Sequence, residues 1–200
     1  MIDSRFGIDT IGAVDAFSYL SVLLSIIIGL AVTQILQGFR ARMLSHARVR
    51  RYWPTQAWAA IILVVCTQTW WAMFDLRHRV DWQFDDFMVL LAQTIVTYLV
   101  AGLVFPDFPQ GHPVDLREHY FTQRRRFFGL LLGMVSTSIL RDLVLNHALP
   151  DGTNLLFHGV YLVLAIIGIS TAREWIHKTL ALVTGAIVVL YVSLLFARLR

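Results

Sequence analysis

Five stretches of the chain run without a charged residue: 16–39, 52–74, 87–106, 152–172 and 179–197. Each approaches the ~20 residues that carry a helix across ~30 Å of hydrocarbon. A sixth apolar stretch, 127–140, meets Arg141 and Asp142 and then resumes as LVLNHAL, which predicts a fourth span interrupted by charge. The pattern predicts an all-α polytopic membrane bundle, one integral membrane domain over residues 1–200 with six transmembrane helices. Their expected bounds are about 16–39, 55–74, 87–105, 127–147, 154–172 and 178–197. Before the fourth span, Pro106, Pro109 and Pro113 bar an early helix. Leu116, Tyr120 and Phe127 then lie opposite Arg117, Arg124 and Arg125, the pattern of a short helix on the membrane surface.

Inside the spans a second pattern appears. Ser21, Ser25, Gly29, Thr33 and Gln37 recur every fourth residue, as do Gly129, Gly133, Thr137 and Arg141, while Ala181, Gly185, Ser193 and Ala197 form a row interrupted only by Val189. Lipid gives helices no hydrophobic reason to associate, so close approach at small residues and hydrogen bonds between polar ones must do it. The first, fourth and sixth spans are therefore expected to be the inner packing elements, with Ser21, Ser25, Gly29, Gly129, Gly133, Thr137 and Gly185 at their contacts.

Composition agrees with a membrane solvent: 57% of residues are apolar and 15% charged, where about a quarter are charged in soluble domains. The acidic start, MIDSRFGIDTIGAVDAF, does not resemble a cleaved secretory leader, so the first span is expected to be retained. Of the seventeen Lys and Arg, eleven fall in the loops that would share one side and five on the other. Basic residues are retained in the cytoplasm, which places both termini outside an inner or plasma membrane. The basic balance then faces anionic lipid, and no nucleic-acid motif is present. One cysteine, Cys66, excludes an internal disulfide.

Candidate chemistry rests on polar groups that are costly in lipid. Thr33, Gln34, Gln37, Gln68, Gln93, Arg141 and Asp142 are the candidates to line a hydrated path or bind a ligand. Consecutive helical residues point about 100° apart, so Asp15 and Asp75 are expected to pair with Arg141 in preference to Asp142. No motif names a cofactor and none is favoured. His112, His119, Glu174 and His177 include one Glu-x-x-His step, the inner-side candidate for a metal. Three functions follow: a small channel- or transporter-like bundle for an ion or small solute; a non-enzymatic subunit or assembly partner, as a homo-oligomer or with another membrane protein; and a metal-dependent enzyme at the inner face.

Overall fold

The computed structural model describes residues 5–44, 49–79, 81–108 and 113–198, with side chains described within 17–194. It is a bundle of six helices: α1 Arg5–Leu44, α2 Trp53–Phe74, α3 Phe84–Val104, α4 Leu116–Asn146, α5 Gly152–Ser170 and α6 Glu174–Arg198. All six are long and apolar enough to cross a membrane. Two strands of two residues each, β1 Val49–Arg50 and β2 Val114–Asp115, pair in parallel just before α2 and α4.

Two expectations for the fourth span change. α4 is unbroken through Arg141 and Asp142, and the stretch expected as a separate surface helix is its own beginning. Thirty-one residues make a rod of ~46 Å, longer than the hydrocarbon is thick, so the basic first turns stand outside it. Leu116, Tyr120 and Phe127 are buried against the bundle there, which is why the helix continues instead of turning along the surface. Asp115 starts α4 by accepting the backbone N–H groups of Arg117 and Glu118. At the other end His147 takes a left-handed conformation, φ 50°, and Pro150 follows.

The strand pair holds the starts of α2 and α4 side by side, and an ion pair of 2.9 Å from Arg117 to Glu174 adds the start of α6. This is the basic end of the bundle. At the opposite, acidic end, Arg79 reaches Asp86 at 3.0 Å and the Leu145 carbonyl at 2.6 Å, tying the α2–α3 connection and α3 to the end of α4.

On α1 the packing face is not the one the four-residue row predicts, whereas the rows of α4 and α6 meet neighbours in part. On α1 the buried positions are Leu24, Ile28, Ala31, Ile35 and Gly38, whereas Gly29, Thr33 and Gln37 are exposed and Ser21 and Ser25 are half-buried. The reason is geometric. A strict step of four drifts by about 40° each time, so Ser21 and Gln37 stand about 160° apart, while steps alternating four and three hold one face. Gly129 is likewise exposed with open space beside it; Gly133 faces Val96 at 3.7 Å and Gly185 faces Ile61 at 3.8 Å, both ordinary contacts. Thr137 is half-buried and donates to the Met134 carbonyl. The glycines that permit close approach are Gly38, against the Phe105 ring, and Gly168, against the Phe128 ring. The most buried span is α3, with 44% of its apolar window buried against 11% for α5; it packs chiefly against α1 and α4, an inner helix that the rows did not mark.

Candidate functional site: a cavity graded from apolar to polar

A cavity of about 210 Å³ lies among α2, α4, α5 and α6, with Gln93 entering from α3. The helix directions sort its lining by depth. On α4 it runs from Phe128 to Asp142 and on α2 from Trp58 to Ala72, fourteen residues or ~21 Å along each axis. Toward the basic end the walls are Ile61, Ile62, Leu131, Leu164, Ala165 and Val188. Toward the acidic end they are Gln68, Ser138, Arg141, Asp142, Asn154 and His158.

The floor is closed. Trp58 packs edge-on against Phe127 and Phe128, with ring centroids 5.2 and 5.4 Å away, and Phe128 lies against His177. Behind it, His177 is fully buried; its Nε2 meets the Thr171 carbonyl at 2.9 Å and its Nδ1 meets the Tyr120 hydroxyl at 3.0 Å. A carbonyl only accepts, so Nε2 carries the hydrogen, and in the neutral ring Nδ1 accepts from Tyr120. Beyond Trp58 the next void measures about 10 Å³, room for about one water. Outside the spans at this end, burial, with Glu174 nearby, pushes the Tyr52 phenol up to about 12.

At the polar end, Arg141 donates from Nε and Nη2 to one oxygen of Asp142, at 3.1 and 2.8 Å. Asp142 is therefore a partner of Arg141, where the sequence expectation passed it over. Long side chains bridge the angle between consecutive positions because both lean into the cavity, whereas Asp75 is exposed at the end of α2 and the side chain of Asp15 lies outside the described residues. His158 joins α5 to α4: Nδ1 meets the Asn154 carbonyl at 2.6 Å, which assigns that nitrogen the hydrogen, and Nε2 lies 3.0 Å from the Ser138 hydroxyl.

Of the sequence-predicted ligand residues, the cavity gathers Gln68, Gln93, Arg141 and Asp142. It does not gather those of α1. Thr33 is exposed and donates to the Gly29 carbonyl, Gln34 reaches the Tyr98 hydroxyl at 3.4 Å, and Gln37 is exposed. Ser138, Asn154, His158 and Thr184 were missed as lining residues. Asn154 and His158 stand one turn apart on α5, and Ser138 lies three residues before Arg141, spacings that share a helical face.

The inner metal candidates do not assemble. His119 bonds the Leu103 carbonyl, His177 uses both nitrogens within the fold, Glu174 pairs with Arg117 and Lys178, and His112 lies outside the described residues. Among the described residues no three metal-binding side chains form a group.

Fold and cavity together define a polytopic helical membrane protein with an internal, polar-ended pocket. Compared with protein-family models, curated proteins and solved structures, the chain matches none.

Proposed function

We propose that this protein is a transporter-like bundle that takes a small solute into the cavity among α2, α4, α5 and α6. The observation that supports this reading is convergence: Gln68, Gln93, Arg141, Asp142, Asn154 and His158 come from four different helices and turn toward one space. Groups so costly to hold in lipid are otherwise used singly as contacts between neighbouring helices. The aromatic floor favours an occluded binding site over an open channel, because a continuous pore would have to pass Trp58 and Phe128, which are 3% and 1% exposed. The excess of Arg and Lys at the basic end supports a cytoplasmic placement for it, so the polar mouth faces outward.

The test is flux and protection in the same vesicles. Proteoliposomes are offered a panel of ions and small polar or amphiphilic solutes, and the Ser138→Cys variant is treated with a water-soluble thiol reagent. A saturable flux that the reagent abolishes in Ser138→Cys alone is the expected result. Flux no greater than through protein-free vesicles, together with no reaction of the reagent at the Ser138→Cys position, defeats the proposal.

A further inference from the structure

Resting on that reading, we infer that the ligand is a membrane amphiphile, one narrow apolar chain joined to a compact head without net charge. The cavity separates its chemistry by depth. Its lower half, from Phe128 to Val135 on α4, spans ~10 Å and is walled by Trp58, Ile61, Leu131, Leu164, Ala165 and Val188. A polar solute filling it would surrender hydration there without replacement. Polar groups at that depth are few: the Thr184 hydroxyl, 5% exposed, and the Trp58 indole N–H make no described hydrogen bond, and Tyr161 stands at the upper edge. A helical Thr can turn its hydroxyl to the carbonyl one turn back, and the Trp58 indole interacts with Tyr120 behind the floor, so the floor makes no demand for a polar tail.

The upper half offers the opposite. Gln68, Asn154 and Ser138 supply donors and acceptors, and Arg141 has N–H groups left after Asp142 takes Nε and Nη2. Arg141 and Asp142 together bring no net charge to a head group. The acidic end around the mouth, with Asp75, Asp81, Asp85 and Asp151 all exposed, disfavours an anionic one. A volume of about 210 Å³ stretched over ~21 Å is narrow, which suits one chain better than the two of a bilayer lipid. A chain reaching the floor also explains why the cavity is long where a small polar solute needs only its upper half.

The experiment uses the full chain in phosphatidylcholine nanodiscs with a decanoyl monoacylglycerol that carries a diazirine at the end of its chain. After irradiation, adducts are mapped by peptide mass spectrometry. The expected adducts fall on the floor, at Trp58, Leu131 or Val188, and drop at least tenfold with excess unlabelled monodecanoylglycerol. They also drop in Ala165→Trp, which fills the lower half; Val188→Trp serves if that variant does not fold. Decanoate is the charged competitor, and it is expected to compete at least tenfold more weakly. Labelling confined to outward residues such as Leu23 and Ile26, or floor labelling that neither competitor nor filling removes, overturns the inference. Equal competition by decanoate overturns the uncharged head. If the floor stays unlabelled while Ser138→Cys still reacts and a polar solute protects it, the amphiphile fails and solute binding survives. An unreactive Ser138→Cys variant with no floor label removes both.

Discussion

The backbone of Gly168 on α5 lies against the ring of Phe128 on α4, so close that a Cβ there would fall 2.5–2.6 Å from three ring carbons. The ring is 1% exposed and packed by Trp58, Phe127 and His177, so it can yield only toward the cavity it lines. Gly168→Ala is expected to cost about 1–3 kcal/mol through overpacking. Gly29→Ala meets open space and is expected to change stability by less than ~0.5 kcal/mol. Thermal unfolding of both variants in one mild detergent checks the contrast; equal shifts would refute it.

That contrast also marks how far the sequence could be read. Five of the six spans were legible because length and the absence of charge decide them, and the fourth by the apolar run before Arg141; no neighbour can alter these. Which face packs was not, because Gly29, Thr33 and Gln37 look like packing residues yet can face outward at little cost: Thr33 satisfies its hydroxyl on the Gly29 carbonyl of its own helix. Glycines matter where a large partner sits opposite, as Phe128 does for Gly168 and Phe105 for Gly38, and the partner lies 40 and 67 residues away in the chain. The polar site was half legible. Gln68, Gln93, Arg141 and Asp142 stand out as amides and charges inside apolar text, whereas Asn154 and His158 sit near the start of a span, where polar residues are ordinary.

The acidic end depends on a clasp. Asp86 is 2% exposed, accepts from Arg79 at 3.0 Å and from the Gln83 backbone at 3.1 Å, and begins α3 through a reciprocal cap with Gln83. Arg79→Ala would leave Asp86 and the Leu145 carbonyl without their shared donor. Removing one partner of a largely buried pair costs more than the pair itself contributes, here about 3 kcal/mol. Arg79→Ala with Asp86→Asn should lose less than Arg79→Ala alone. A double variant as unstable as the sum of the two single ones would show that the two side chains do not act together.

Behind the floor, Tyr120 is the sole described donor to His177 Nδ1. Tyr120→Phe keeps the ring that packs on Tyr52 and Phe121 and removes only the hydroxyl. It leaves a fully buried acceptor unpaired and is expected to lower stability by about 1–3 kcal/mol. Combining Tyr120→Phe with His177→Leu deletes both partners, leaves that acceptor no longer stranded, and should recover part of the loss. If Tyr120→Phe unfolds at the wild-type temperature, the bond contributes nothing to holding α4 against α6.

At the basic end Asp115 is expected to contribute to the acid sensitivity of the fold. Partial burial works to raise its carboxyl, but the backbone N–H groups of Glu118 and Arg117 and the guanidinium of Arg50, 3.1 Å away, together hold it below the usual carboxylate range. A carboxyl lowered by folding stabilises the folded state at every pH above its unfolded value of about 3.9 and loses that contribution as the pH falls below it. The Asp115→Asn side chain still accepts the N-terminal N–H groups of α4 but cannot titrate, so this variant should lose less stability than wild type between about pH 5 and 3. Asp115→Ala removes the cap as well and should cost ~1 kcal/mol already at neutral pH. Unfolding measured across that pH range separates the two effects: wild type and Asp115→Asn falling in parallel would mean that other carboxylates, and not this cap, govern the acid limb.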